Sequence, residues 1–331
     1  MFGYLRFALA FFVLISHVDI RFSGLNPGVI AVVIFYILAG HVVSHLWADI
    51  IPEGPGKLSA FYRDRLLRIF PLYLYVAVLS VLFLILTGYG KPLFTPLRLM
   101  GNLTIIPLNF YMILENTILT NPERFLIPPA WSLGAELQAY ILLPLVFSHR
   151  FLKIFIVFTS FCVYMLANLQ IINPDYWGYR LIPGVFFMFV AGASIQRTKS
   201  NAAPHRSRLD LLYPWITWLL IAVSGIIFQA KNLFGLGYTK ETFIGFLIGI
   251  PTIYLLDHIP AKLPGNALMG ALSYGIFLTH FLVIWCIDYA GFIEKNSLMY
   301  IPIITLGSVI IAYLGITSIE KQMNTIRKAG S

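Results

Sequence analysis

Ten separate stretches of this chain are long and apolar enough to cross a lipid bilayer, and that leaves few folds open. A span requires roughly 20 mostly apolar residues, because the hydrocarbon core is about 30 Å thick and an α-helix rises about 1.5 Å per residue. The stretches run near 3–20, 27–47, 71–88, 134–148, 151–171, 181–196, 212–230, 242–256, 267–289 and 299–319 of the 331 residues. Lipid offers backbone groups no water to bond, so each stretch is predicted to be a helix and the chain an all-α, polytopic integral membrane bundle. The balance of side chains agrees. With 59% apolar and 11% charged residues, and a mean hydropathy of +0.82, a soluble protein of this length would be coated in hydrocarbon. The spans leave no room for a separate soluble domain, so residues 1–331 are read as a single membrane-embedded domain. The stretches near 134, 181 and 242 are short, which predicts tilted or partly re-entrant segments.

The first stretch starts at Met1 with no basic leader and no small-residue cleavage site, so a retained helix is expected and not a signal peptide. Cys162 and Cys286 both fall within spans and are read as packing residues, with neither a disulfide framework nor a metal site expected.

Ten spans put both termini on one side, and Lys and Arg in alternate loops identify that side. With the termini cytoplasmic, the inner set is Arg6, then Lys57, Arg63, Arg65 and Arg68, then Arg150 and Lys153, then Arg197, Lys199, Arg206 and Arg208, then Lys262, and finally Lys321, Arg327 and Lys328. Those fifteen outnumber the eight on the other side, so the N- and C-termini are predicted to be cytoplasmic. The net charge of +9 is then chiefly a topology signal, aided by anionic membrane lipid; it calls for no nucleic acid partner and leaves the inner face attractive to a polyanionic small molecule. The longest break, about 89–133, holds Pro92, Pro96, Pro107, Pro122, Pro128 and Pro129 among apolar residues. It is predicted to fold back as interfacial or re-entrant pieces, because irregular backbone is not tolerated against lipid.

Ionisable residues inside spans are expensive and mark function by default. Arg6 and His17 lie eleven residues apart in the first span, about 16 Å along the axis and within about 20° on the helical wheel. They therefore share a face, with His17 expected at depth; the plainer reading is a snorkelling Arg and a packed His. In the run Phe61-Tyr62-Arg63-Asp64-Arg65-Leu66-Leu67-Arg68-Ile69-Phe70-Pro71-Leu72-Tyr73, a helix would put Arg65 and Arg68 on one face. Guanidinium forks match phosphate bidentately, so Arg63, Arg65 and Arg68 form a candidate phosphate clamp or, equally, a positive-inside anchor. In Pro128-Pro129-Ala130-Trp131-Ser132-Leu133-Gly134-Ala135-Glu136, Ser132 is placed to N-cap a helix. Glu136 would sit in the first turn, as a functional carboxylate or as a partner of the helix dipole. Ser273-Tyr274-Gly275-Ile276-Phe277-Leu278-Thr279-His280 carries His280 well into the ninth span. His41, His45 and Asp288 are ranked lower, as packing or end-of-helix groups.

In order along the chain, these residues resemble the acyltransferase-3 family of integral membrane acyltransferases. Arg6 and His17 match its Arg, ten residues, His signature; Phe35-Tyr36-Ile37-Leu38-Ala39-Gly40 resembles its aromatic pair leading to Gly. Arg65, Arg68, Ile69, Pro71 and Tyr73 match its R-I-x-P-x-Y stretch, Trp131, Ser132, Leu133 and Glu136 its W-S-L-x-x-E, and Ser273, Tyr274, Phe277, Leu278 and His280 its S-Y-x-x-[YF]-L-x-H. The sequence departs from the pattern in lacking an acidic residue within Ala31-Val32-Val33-Ile34, in Ala39 where Ser is common, and in Glu320-Lys321-Gln322 where Glu-Arg-Pro is frequent.

The resemblance implies transfer of an acyl group, most often acetyl from acetyl-CoA, to a sugar hydroxyl of an O-antigen, exopolysaccharide or other cell-surface or lipid-linked glycan. With no fused hydrolase-like domain, the membrane domain itself is expected to engage the acceptor. The expected catalytic residues are His17 as base and Glu136 as its orienting group or a positioner of the acceptor. Arg6, Arg63, Arg65, Arg68 and Tyr73 are expected on the donor side, with Trp131, Ser132, His280 and His41 as further candidates and no metal. An acyl-His intermediate and a succinyl or other acyl-CoA donor are alternatives, and a bacterial inner membrane is the expected location. The competing class is a proton-coupled transporter or flippase of a glycan or lipid intermediate, in which buried His and Glu relay protons.

Overall fold

The computed structural model describes residues 1–196, 208–235, 237–259, 263–291, 293–295 and 297–323. Arg197, Lys199, Arg206, Lys262, Arg327 and Lys328 of the inner-side count, the Arg208 side chain and the terminal Ala329-Gly330-Ser331 lie outside the described residues. The helices are α1 (Phe2–Ser16), α2 (Pro27–His45), α3 (Lys57–Thr87), α4 (Pro96–Thr104), α5 (Trp131–Ser148), α6 (Arg150–Asn168), α7 (Ile182–Ile195), α8 (Arg208–Ala230), α9 (Thr239–His258), α10 (Asn266–Ala290) and α11 (Tyr300–Gly315).

Among the described residues nine helical segments are long and apolar enough to cross a membrane, and α1 is a shorter apolar helix. Each of the ten expected stretches is thus helical, and the chain is a polytopic helical membrane protein. The short stretches near 134 and 242 are continuous helices, and the one near 181 is a wide turn and a helix joined at an extended Leu181. Each begins earlier than its apolar core, at Trp131, at a wide turn over Tyr176–Arg180, and at Thr239. A first helical turn tolerates polar residues because its N–H groups have no intrahelical acceptor in any case. Likewise α3 starts at Lys57, so the arginine run rides on its first turns.

The chain forms two compact units, one of Met1–Asp19, Arg63–Ala135 and the chain from Leu263, the other of Ile20–Tyr62 and Glu136–Lys262. In the second unit α2 packs against α7 and α9. Asn26 caps α2 by accepting from Gly28 N–H at 2.9 Å, with Pro27 at the first helical position. Where α2 crosses α7, Gly40 faces the Phe189 carbonyl and Gly192 faces the Ile37 carbonyl, each too closely for any Cβ. This reciprocal contact lets two backbones touch, the usual device for packing helices in lipid. It also gives a physical reason for the glycine after Phe35-Tyr36.

In the first unit α1 and α10 run parallel. Gly3 N–H donates to Asn266 Oδ1 at 2.9 Å, Ser273 Oγ donates to the Arg6 carbonyl at 2.7 Å, and the His17 ring meets that of His280. α11 returns antiparallel, with Gly275 against Ala312 and Thr279 Oγ1 on the Ser308 carbonyl at 3.2 Å.

The break between α3 and α5 folds back within the same unit, as expected. It contains α4, a 3-10 turn over Ile106–Phe110, a two-residue hairpin of β1 (Leu119–Thr120) with β2 (Glu123–Arg124), and a 3-10 turn over Pro128–Ala130. Tyr73 donates to the Asn102 carbonyl at 2.6 Å. Tyr73 lies fourteen residues before the end of α3, about 21 Å of helical rise, so the segment reaches well along the span. Its irregular backbone is satisfied by three buried asparagines. Asn102 donates to the Arg98 and Asn116 carbonyls and accepts from Leu126 N–H, Asn116 donates to the Pro107 carbonyl, and Asn109 donates to the Trp131 carbonyl.

Replacing Asn102 by Leu keeps the branched shape and strands two buried backbone groups, the Asn116 carbonyl and the Leu126 N–H, at about 1–3 kcal/mol for each group left unsatisfied. Asn102→Leu is expected to lower the melting temperature in detergent sharply, whereas Asn232→Gly, in an exposed turn at φ 52° that glycine tolerates, should not; equal melting of Asn102→Leu and wild type would refute the asparagine clamp.

Candidate active site

His17 is the residue at which α1 stops. It has near-helical φ −84° and ψ −6°, its N–H bonds the Leu14 carbonyl at 3.1 Å, and the chain then turns at Asp19 with φ 61°. The helix ends four residues before the apolar stretch does, and the His17 side chain is exposed. The ring is nevertheless held, with its centroid 5.4 Å from that of His280 at 19° between planes, and 4.8 Å from that of Phe281. Arg6, one helix face earlier, is half-buried.

His280 is fully buried, and its Nδ1 sits 2.9 Å from the Ile276 carbonyl one turn back. Beyond it, ring contacts continue from Phe281 to Trp285 and from Trp285 to Tyr89. They end at Asp288, which accepts from Tyr89 at 3.3 Å and Tyr300 at 3.2 Å and lies 3.3 Å from Lys295 Nζ. Burial and the neighbouring Asp288 carboxylate push the Tyr89 hydroxyl up to about 12. Asp288 is thus the end-of-helix group it was read as.

The arginine run is helical, and its members differ. Arg63 is exposed, Arg65 is buried and paired with Asp64, and Arg68 is paired with Glu320 just after α11. Arg68 also lies over the Tyr274 ring at 5.8 Å, and Tyr274 donates to the Ile69 carbonyl at 2.9 Å, two residues before Pro71. Glu320 and Asp64 were missed as site residues. Their sequence signal is an acidic residue within an otherwise basic inner-side segment and, for Glu320, its place at the Glu of the family's Glu-Arg-Pro pattern.

Trp131 and Ser132 open α5. Ser132 is not the cap, since its hydroxyl donates to the Pro129 carbonyl at 3.0 Å while the 3-10 turn before it supplies the start. Gly134 is required by close approach: a Cβ there would lie 2.9 Å from the Ile105 carbonyl. Ile105 itself holds φ 67°, a conformation that costs a β-branched residue about 1–3 kcal/mol.

Arg6, His17, Arg63, Arg65, Arg68, Tyr73, Trp131, Ser132 and His280 belong to the first unit, and Glu136 and His41 to the second. Glu136 is half-buried and accepts from Tyr140; Tyr36, within electrostatic reach of Glu136 and Arg180, donates to the Tyr179 carbonyl at 3.4 Å. His41 is buried, 3.3 Å from Asp257, and His45 pairs with Asp49, which also accepts from Gln196 at 2.7 Å. Among the described residues no group of three or more His, Cys, Asp or Glu is placed to hold a metal ion.

The chain is 44% identical over 221 residues to an uncharacterized protein of Aquifex aeolicus (strain VF5), covering 65% of this chain and 98% of the relative. It is 30% identical over 150 residues to a Rhizobium radiobacter protein named Protein 2 in picA locus, covering 40% of this chain and 74% of that one. No solved structure matches the chain. The model of the acyltransferase-3 family, described as an acyltransferase domain, matches residues 2–317, essentially the whole described length. The chain therefore belongs to that family and is a multi-pass integral membrane acyltransferase.

Proposed function

We propose that this acyltransferase moves an acetyl group from cytoplasmic acetyl-CoA to a hydroxyl of a cell-surface or lipid-linked polysaccharide, in a bacterial inner membrane. The observation that carries this reading is His17, an exposed imidazole held by ring contacts at the end of the helix that carries Arg6. A sugar hydroxyl is a poor nucleophile at neutral pH. The neutral His17 ring takes its proton as the oxygen attacks the thioester carbonyl, the C–S bond breaks, and the proton passes to the departing CoA sulfur, leaving an ester and free CoA. Such proton transfer contributes about 10²–10⁴-fold. Glu136, fixed by Tyr140, supplies a carboxylate to bond and position the acceptor's hydroxyls.

On the donor side, the CoA phosphates stay at the cytoplasmic face, since they cannot enter hydrocarbon. Exposed Arg63 meets them first. Arg65 and Arg68 already carry carboxylate partners, so a phosphate bound there shares the guanidinium forks with Asp64 and Glu320.

Two outcomes follow. Arg63→Ala is expected to weaken acetyl-CoA binding several-fold, measured by calorimetry on detergent-purified protein, with no change in melting temperature. Arg68→Ala should also destabilise, because it leaves the buried Glu320 carboxylate uncompensated, and adding Glu320→Gln should restore melting without restoring affinity. A well-folded wild type that binds no acetyl-CoA would overturn the donor assignment. His17→Ala is expected to cut incorporation of label from acetyl-14C-acetyl-CoA into membrane glycan by about 100-fold or more, with donor affinity within about threefold of wild type. Undiminished incorporation would remove His17 from the mechanism.

A further inference from the structure

The ion pair of Arg68 with Glu320 is closed by one nitrogen and one oxygen, although a guanidinium and a carboxylate can form two parallel bonds. Nη1 of Arg68 donates to Oε1 of Glu320. Among the described residues Arg68 makes no other hydrogen bond, so its Nε–H and Nη2–H are unspent, on a side chain that is 25% exposed. Oε2 of Glu320 is buried and meets no donor. A pair kept only to tie α3 to the end of α11 would close the second bond and remove the cost of that orphaned oxygen.

Packing holds the two side chains in this relation. Glu320 ends the wide turn Ile316–Glu320 that follows α11. Just before the turn, Gly315 lies so close to α3 that a Cβ would come 2.7 Å from the Leu72 and Tyr75 side chains, and Leu72 is one helical turn beyond Arg68. The Cγ–Cδ torsion of a glutamate is broad, so a turn of the carboxyl presents Oε2 at the edge where the unspent Arg68 donors lie. A phosphate fits that edge poorly, because its charge would face the second oxygen of Glu320. A secondary amide fits it: the carbonyl accepts from the guanidinium, the N–H donates to the carboxylate, and both bonds are charge-assisted.

We propose that Arg68 and Glu320 together bind an amide of the pantetheine arm of the acyl-CoA donor. The order of groups along CoA matches the order along α3. Arg63 is exposed and five residues nearer the start of the helix, about 7.5 Å of rise, where it meets the pyrophosphate. The amides follow a few single bonds further toward the thioester, and Arg68 is the last charged residue of α3 before its apolar length. Adenine, whose edge also pairs a donor with an acceptor, lies on the other side of the phosphates and points away from the pair. The assignment rests on the acetyl-CoA reading of the inner face.

The test is calorimetry on the full chain in detergent, with acetyl-CoA, adenosine 3′,5′-bisphosphate, and two acetyl-CoA analogues in which one or the other amide N–H is replaced by an ester oxygen. Wild type is expected to bind one of the two esters about 10-fold or more weakly than acetyl-CoA, the scale of a lost hydrogen bond to a charged group. Glu320→Gln puts an NH2 where Oε2 stood. It is expected to weaken acetyl-CoA by a similar factor, to lose the preference for the amide, and to bind the bisphosphate as wild type does. Equal affinity of wild type for acetyl-CoA and both esters would overturn the assignment, whatever the stability of the variant. Tighter binding of the bisphosphate by Glu320→Gln would overturn it too, since that is the effect of removing a carboxylate that competes with phosphate for Arg68. Well-folded wild type that binds no acetyl-CoA would instead overturn the donor reading itself.

Discussion

Every backbone polar group at membrane depth must find its partner inside the protein, and the structure is organised by that requirement. Regular helices meet it by themselves. The segment between α3 and α5 cannot, because its prolines break the ladder, and three buried asparagines supply the missing donors and acceptors. The same segment presses its Ile105 carbonyl toward Gly134, so the start of α5, with Trp131 and Ser132, is set by a non-helical stretch. Backbone satisfaction and placement of a family motif are here one problem.

The charges obey a related rule. Arg65 and Arg68 enter their unit with carboxylates beside them, Asp64 and Glu320, since an uncompensated charge away from water is far costlier than an imperfect pair. The arrangement ties the first turns of α3 to the segment after α11 and to Tyr274 of α10. The arginine motif thus joins distant parts of the chain whatever else it binds. The cation left exposed is Arg63, outside the pattern that the resemblance emphasised.

α1 and α10 bring together residues 263 positions apart in sequence, and their parallel alignment, pinned at Gly3 and at Arg6, sets His17 beside His280. Neither histidine's surroundings follow from its own helix. The contact exists because small and hydroxyl-bearing residues near the start of each helix fix the register of the pair.

Much was legible in the sequence. Apolar length alone specified the ten helices, since lipid thickness and helical rise leave little choice, and order and spacing of motifs were enough for the family. Helix beginnings were misjudged, because polar first turns hide from a hydropathy window. The end of α1 was misjudged too, because an apolar stretch continued past the turn at Asp19. The partnerships were decided only in tertiary structure: Arg68 with Glu320, His17 with His280, Asn102 with three backbone groups, and Gly40 with a facing carbonyl. A one-dimensional pattern records which residues are costly in lipid. Which group offsets that cost depends on the register and crossing of helices far apart in the chain, and those are set by packing.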